Sequence, residues 1–264
     1  TVIRIPLRRG RLRLPKPTTG HTSAGFAQHI RKVKERISTR RFTIVVEPPF
    51  VVIGDEPEAI VRRRSKETVR GAVDLLKKAY FKYDPYDIID IWLFKDETSY
   101  RTHTYKLFRD RPTTPFGYYS EEHRALIMDI ATGGGTLVHE IVHPFMASNF
   151  PQCPAWFNEG LGSLYEQCSY KGDKIRGLTN WRLSGLQQAI RDNALPLFES
   201  LCGTTQHEFY DADPGTNYAQ ARYLCYYLQE KNLLRKFYHA FVNAHADDPG
   251  GYKTLQRILQ KEDM

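Results

Sequence analysis

The segment LVHEIVHPFM at residues 137–146 places two histidines and a glutamate inside a strongly apolar stretch. Helix side chains four residues apart lie one above the other, so His139 and His143 can direct their imidazoles toward a single point. Glu140 lies one step around the helix, close enough to reach a water held at that point. The apolar neighbours predict a buried helix, and buried imidazole and carboxylate groups need partners. The rest of the chain must therefore fold so that those partners reach this helix.

The spacing H-E-x-x-H at residues 139–143 is typical of a zinc site, which needs a third protein ligand and an open position. Glu159 follows His143 by sixteen residues, within AWFNEGLGSLYEQC, which reads as a second apolar helix. That separation allows the first helix to end, the chain to turn and the second helix to return alongside. We therefore predict one Zn²⁺ per chain, with Glu159 as the third ligand and Glu166, two turns further on, as the alternative.

These two segments carry a family resemblance. An H-E-x-x-H helix followed by a helix with W-x-N-E-G, here residues 156–160, resembles the gluzincin zinc metallopeptidases, and most closely the peptidase MA-like group. The resemblance extends over residues 42–246. It implies an α+β, thermolysin-like metallopeptidase domain that hydrolyses peptide bonds, with the three zinc ligands predicted above and Glu140 as the catalytic base.

The same resemblance points to further parts of the site. Tyr218, near the start of the late helix NYAQARYLCYYL, is similar to a tyrosine that stabilises the oxyanion in related peptidases, and His207 is a second candidate. Tyr218 has an alternative role, packing among the other tyrosines of its helix, which stays open. The strand before the motif is expected to form an edge that pairs with an extended substrate. Its residues are Ala125, Leu126, Ile127, Met128 and Asp129.

Three features depart from the best-known gluzincins. Pro144 directly follows His143 and removes a backbone hydrogen bond to Glu140, so we expect the helix to kink or end there. Ser163 stands where thermolysin-like members have an aspartate that orients a histidine, so the imidazoles need other polar partners. The segment between His143 and Glu159 is also a few residues shorter.

Charge and hydropathy divide the chain into three regions. Residues 1–41 are predicted to be a basic arm, since they contain twelve basic residues and one acid, whereas the other 223 residues contain 26 and 29. Residues 42–132 alternate predicted strands and helices, which indicates a mixed α/β half with a small twisted sheet. Residues 133–264 read as an all-helical half, and Gly133–Gly135 lets the chain turn into its first helix. Residues 42–264 together form the predicted zincin-like peptidase domain.

The function predicted from these features is that of a zinc-dependent peptidase acting on a peptide or protein substrate. An endopeptidase is favoured, because no G-x-M-E-N-like motif precedes His139 to hold a substrate's free amine. The alternative is a catalytically idle metallopeptidase-like domain that binds a peptide or protein partner. We favour an exported or extracytoplasmic location, although the four cysteines are compatible with either disulfides or free thiols.

Other classes of partner are less well supported by the sequence. No apolar run reaches the roughly 18 residues that span a bilayer, so no membrane span is predicted. The body of the chain has no nucleic-acid signature. The basic arm could bind nucleic acid, an anionic membrane or an acidic partner, and the alternative is a solvated extension.

Overall fold

A five-stranded mixed sheet forms the base of the α+β fold in the structure, a computed structural model that describes residues 21–37 and 41–262. The strands are β1 (Thr43–Glu47), β2 (Phe50–Gly54), β3 (Ile89–Phe94), β4 (Gly117–Ser120) and β5 (Ala125–Asp129). Their order in the sheet is β1-β2-β3-β5-β4. The three inner strands are parallel, and β1 and β4 are antiparallel to their neighbours.

Helices cover both faces of this sheet. They are α1 (Ser23–Arg36), α2 (Glu58–Arg64), α3 (Gly71–Ala79), α4 (Glu97–Phe108), α5 (Gly135–Asn149), α6 (Ala155–Tyr165), α7 (Arg182–Arg191), α8 (Phe198–Gly203), α9 (Pro214–Glu230), α10 (Leu234–Ala244) and α11 (Tyr252–Leu259). A π-helical segment, Ser65–Arg70, joins α2 to α3, and another short one, Glu208–Ala212, precedes α9. None of the helices in the described ranges combines the length and the hydropathy needed to cross a bilayer.

The two faces of the sheet carry separate apolar cores because side chains alternate along a strand. Ile91 and Leu93 of β3 belong to the larger core, together with residues of α3, α5, α6 and α9. Trp92 and Phe94 belong to a smaller core on the opposite face, together with residues of α1 and α4. We call these the front face and the back face, and the histidine motif of α5 lies at the front.

Part of the predicted arm belongs to the folded body. Thr22 caps α1, since its hydroxyl accepts a hydrogen bond from the backbone N–H of Gly25 at 3.0 Å. Phe26 and Val33 lie on one side of α1, and both are buried against the back face. The prediction of an arm over residues 1–41 is therefore corrected for the described residues 21–37, where an apolar stripe fastens a helix to the sheet. The rest of that prediction, apart from Arg41, lies outside the described residues.

The predicted all-helical half also contains a β-hairpin. Its strands are β6 (Cys168–Lys171) and β7 (Lys174–Gly177), which pair antiparallel around Gly172. Gly172 has a φ of +60°, which glycine adopts without strain. The helix predicted over residues 155–168 therefore ends earlier, at Tyr165, where the chain turns into this hairpin. The cysteines, Cys153, Cys168, Cys202 and Cys225, are free thiols.

The strand predicted to bind substrate lies in the interior of the sheet. β5 pairs with β3 on one side and with β4 on the other, and all its residues are buried. The prediction that Ala125, Leu126, Ile127, Met128 and Asp129 form an edge strand is therefore wrong. The edge on this side of the sheet is β4, because the chain reverses between Ser120 and Ala125 and covers β5.

Candidate metal centre

Helices α5 and α6 pack against each other and carry the side chains of the site. Helix α5 continues past Pro144 to Asn149, so the proline does not end it. The rings of His139 and His143 remain neighbours on one face of α5, with centroids 4.9 Å apart. The loss of one backbone hydrogen bond at the proline thus leaves both imidazoles facing α6.

Three possible ligand atoms converge between these helices. Nε2 of His139 and Nε2 of His143 lie 3.2 and 3.9 Å from Oε2 of Glu159. The three ligand atoms all lie within 4.8 Å of one another. Two atoms bound to a tetrahedral zinc at about 2.1 Å are about 3.4 Å apart, so the separations of 3.2 and 3.9 Å from Glu159 lie close to the spacing that one ion requires. Two imidazole nitrogens and a carboxylate oxygen are also a donor set that catalytic zinc sites use.

The second nitrogen of each imidazole faces a polar group of α6 or of the residue that follows it. Nδ1 of His143 lies 3.0 Å from Oδ1 of Asn158, and Nδ1 of His139 lies 3.3 Å from Oε1 of Glu166. Acceptors on the Nδ1 side favour the tautomer whose Nε2 binds a metal once any proton on Nε2 is released. Glu166, predicted as the alternative ligand, lies instead on this outer side. These two residues supply the polar partners that Ser163 does not.

Glu166 accepts hydrogen bonds from two further residues. Nη2 of Arg182 donates to its Oε1 at 3.1 Å, and Nδ2 of Asn180 donates to its Oε2 at 3.2 Å. The Arg182 guanidinium also lies 5.3 Å from the ring centroids of both Trp181 and Tyr218. The carboxylate that faces His139 is therefore fixed by Asn180, in the segment after β7, and by Arg182, the first residue of α7, which sequence analysis did not connect with the site.

Small residues let the helices approach closely enough for these contacts. A Cβ on Gly162 would lie 3.1 Å from the imidazole of His139, so this ring rests directly on the backbone of α6. Glu159, Gly162 and Glu166 recur at helical spacing and share one face. His139 thus sits over the glycine with one nitrogen toward each carboxylate. A Cβ on Gly160 would lie 2.9 Å from a backbone oxygen of Ala221, which explains the close packing of α6 on α9.

The opposite charges of the cluster shift the pKa values of its members. Burial favours neutral Glu159, but the two histidines and a hydrogen bond from Tyr210 lower the pKa of Glu159 to about 2. Burial also opposes a charge on His139, yet the hydrogen bond to Glu159 and the nearby carboxylate of Glu166 hold its pKa well above the usual value. Glu140 differs, because burial raises its pKa and the neighbouring imidazoles reverse only part of that effect. Its carboxylate is therefore more basic than an ordinary one.

Two tyrosines lie beside the candidate metal ligands. The hydroxyl of Tyr210 donates to Oε1 of Glu159 at 2.7 Å, the oxygen that does not face the imidazoles. Tyr218 is half-buried, and its ring packs near those of Phe209 and Tyr210. His207 lies at the surface with Nδ1 3.1 Å from Asp211, away from the ligands. Sequence analysis missed Tyr210, because it stands in a short π-helical segment with no motif around it.

The site lies where two lobes of a cleft meet. One lobe, of about 720 Å³, is lined by Phe116, Tyr170 and Trp181, and we call it the aromatic lobe. The other, of about 910 Å³, is lined by Tyr86, Tyr118 and Tyr119 among others, and we call it the tyrosine lobe. His139, Glu140 and Tyr218 line both lobes. Edge strand β4 follows the cleft, since Gly117 lines the aromatic lobe and Tyr118 the tyrosine lobe.

Comparisons of the sequence with family models and with curated proteins found no match.

Proposed function

We propose that this protein is a zinc-dependent peptidase of the gluzincin type, with a thermolysin-like domain. The observation that carries the proposal is the convergence of Nε2 of His139 and Nε2 of His143 on Oε2 of Glu159, at 3.2 and 3.9 Å, beside the carboxylate of Glu140 in an open cleft. The H-E-x-x-H and W-x-N-E-G segments support the same family. A buried structural ion would not need a cleft on both sides of it.

The reaction follows from the chemistry of these side chains. Zinc bound by the three ligands would polarise the scissile carbonyl and lower the pKa of a water from about 15.7 toward about 7. Glu140 accepts a proton from the attacking water and delivers it to the nitrogen of the leaving amine. The hydroxyl of Tyr218, which lines both lobes, is the candidate donor to the negative oxygen that develops on the carbonyl carbon.

The substrate backbone is proposed to lie along β4 instead of β5. Among the described strands, β4 pairs on one side only, with β5. An extended polypeptide can add to such an edge through main-chain hydrogen bonds, which require no particular side chains. The strand passes from the aromatic lobe to the tyrosine lobe, so an added peptide crosses the space in front of Glu140. Because the cleft continues on both sides of the metal ligands, endopeptidase action is favoured.

The test combines metal content with substitution of Glu140. Purified protein is expected to contain one zinc per chain and to cleave an internally quenched peptide library. Glu140→Gln is expected to lower turnover by about 10²–10⁴-fold, since the general base is lost, while zinc content stays unchanged. Glu199→Gln, an exposed acid on α8, serves as the matched control.

Each outcome of that test has a defined meaning. Equal turnover by Glu140→Gln and its parent would refute the assigned mechanism. A parent protein that holds zinc but cleaves nothing in the library would support the alternative, an idle metallopeptidase-like domain that binds a peptide or protein partner. Protein without bound zinc after reconstitution would remove the basis for both.

A further inference from the structure

Side chains of α9 hold the backbone of the chain from Gly177, the last residue of β7, to Arg182, the first residue of α7. We call these residues the linking segment. The side-chain amide of Gln229 accepts from the N–H of Gly177 at 2.8 Å and donates to its carbonyl oxygen at 2.9 Å. Further along, Nη2 of Arg222 donates to the carbonyl oxygen of Leu178. A helix therefore supplies the hydrogen-bond partners that a neighbouring strand supplies in a sheet.

Tyr223 of α9 holds the next part of the linking segment. Its hydroxyl accepts from the N–H of Asn180 at 3.1 Å and donates to the carbonyl oxygen of the same residue at 3.3 Å. The side chain of Asn180 donates in turn to Oε2 of Glu166 at 3.2 Å, and Arg182 donates to Oε1 at 3.1 Å. The contacts from α9 thus lead to the two residues that bind Glu166, the carboxylate that faces Nδ1 of His139.

Arg222 is fully buried, which is unusual for an arginine. Its Nε donates to the carbonyl oxygen of Ser163 in α6 at 2.9 Å, so one guanidinium joins α6 to the linking segment. Burial of a cation is unfavourable, and it lowers the pKa of Arg222. An apolar side chain would fill a contact between two helices without that cost. Helix packing alone therefore does not account for an arginine at this position.

We propose that Arg222 is a positioning residue, which fixes Glu166 against the imidazole of His139 by joining α6 to the linking segment. The inference rests on the proposed function, since it takes that imidazole to be a metal ligand. Nε of Arg222 anchors α6 three residues before Glu166. Its Nη2 anchors the segment that carries Asn180 and Arg182. One planar guanidinium therefore sets the position of the carboxylate and of the groups that bind it.

The first test compares Arg222→Lys with Arg176→Met. Lysine keeps the positive charge, but its single ammonium group does not reproduce the forked geometry with which Arg222 reaches both carbonyl oxygens. Arg176 of β7 is exposed and donates to Glu230 of α9 at 2.7 and 2.8 Å, so its loss removes a contact between the same two elements outside the linking segment. In competition with a chromogenic chelator, we expect Arg222→Lys to bind zinc about 3–10-fold more weakly than the parent, because the orientation of a ligand is loosened. Arg176→Met is expected to bind zinc as tightly as the parent.

A double-mutant cycle shows whether Arg222 acts through Glu166. Glu166→Ala removes the carboxylate that Arg222 is proposed to position. Adding Arg222→Lys to that variant is therefore expected to weaken zinc binding by less than about twofold further, since the two residues act as one unit. A general structural role would give the same loss in both backgrounds. Equal losses in the two backgrounds, or unchanged zinc affinity in Arg222→Lys, would overturn the proposal.

A milder variant gives a readout that needs no metal. Tyr223→Phe removes only the hydroxyl that binds Asn180, and Tyr227→Phe, at an exposed position of the same helix, is its control. In the metal-free protein, we expect hydrogen exchange of the linking segment to be about 3–10-fold faster in Tyr223→Phe and in Arg222→Lys than in the parent. Tyr227→Phe is expected to leave the exchange unchanged. An unchanged rate in Tyr223→Phe would contradict the proposed connection from α9 to Glu166.

The two measurements separate this inference from the proposed function. A parent protein that binds no zinc, but whose linking segment exchanges faster in Arg222→Lys and Tyr223→Phe, would refute the peptidase and support the positioning of the segment by α9. A parent protein that binds zinc and cleaves peptides, but whose variants keep both the zinc affinity and the exchange rate, would support the peptidase and refute the role of Arg222.

Discussion

The protein places a histidine beside a buried carboxylate in two regions, and the two contacts are built differently. On the back face, Nε2 of His29 in α1 lies 2.7 Å from Oδ1 of Asp90 in β3. One ring meets one acid, and the contact joins a helix to the sheet. On the front face, two imidazoles meet one oxygen of Glu159.

The difference shows which features separate a candidate metal centre from a structural pair. Burial and a short distance are common to both regions. At the front, however, the Nε2 atoms of two rings share a single oxygen, and their Nδ1 atoms face Asn158 and Glu166. Such an arrangement leaves three donor atoms around one point, which an ion can occupy. Three predictions test this comparison.

The largest effect is expected when one histidine is removed from each region. His139→Ala should lose its bound zinc, because two ligands remain of three, while His29→Ala should keep one zinc per chain. His29→Ala should instead lower the free energy of unfolding by about 1–3 kcal/mol, since Asp90 stays buried without its partner. Elemental analysis after dialysis and urea denaturation measure the two effects. Zinc loss in His29→Ala would contradict the distinction between the regions.

A smaller effect is expected from the groups behind the imidazoles. Glu166→Gln and Asn158→Ala should each weaken zinc binding by about 10–100-fold, because His139 or His143 loses the group that fixes its orientation. Competition with a chromogenic chelator measures the dissociation constant, and Glu199→Gln is again the control. If both variants bind zinc as tightly as the parent, the Nδ1 contacts are packing features without influence on the metal.

The smallest effect is expected from Tyr210→Phe. The variant loses one hydrogen bond to Glu159, of about 1 kcal/mol, so zinc should bind about fivefold more weakly. In this variant Oε1 of Glu159 has lost its hydrogen-bond donor and can also approach the metal. The coordination number of the metal then rises, so the cobalt-substituted variant should show weaker visible absorption than the cobalt-substituted parent. Tyr86→Phe, in the same cleft, should change neither quantity. A fall in turnover with unchanged affinity and spectrum would instead assign Tyr210 a direct role in the reaction.

Helical periodicity and separation along the chain predicted the parts of the site that lie within α5 or in the helix that follows it. The positions of His139, Glu140 and His143 depend on helical periodicity, and Pro144 did not disturb it because the helix continues past the proline. Glu159 could be predicted from its distance along the chain and its apolar helix. Glu166 was identified as the alternative ligand, and periodicity places it on the correct face without deciding which nitrogen of His139 it meets.

Long-range pairing accounts for the predictions that failed. Strand β5 has the apolar composition of any buried strand, so its composition does not distinguish an edge strand from an interior one. No local pattern in the sequence predicts that β4 pairs with its open edge. Tyr210, in a π-helical segment, and Arg182, the first residue of α7, reach the site from elements that carry no recognisable motif. The helix α1 carries many basic residues, and its few apolar positions are informative only once the back face of the sheet is present.

By itself, the sequence determined which residue types would need one another. Two imidazoles and two carboxylates on apolar helices cannot be buried apart, because each needs a partner for its charge or hydrogen bonds. Only the tertiary structure decided the direction of each contact: which nitrogen faces Glu159, which faces Glu166, and which strand borders the cleft. Those choices depend on backbone separations of a few ångströms, set by Gly162 and by the pairing of β4, and no local pattern encodes them.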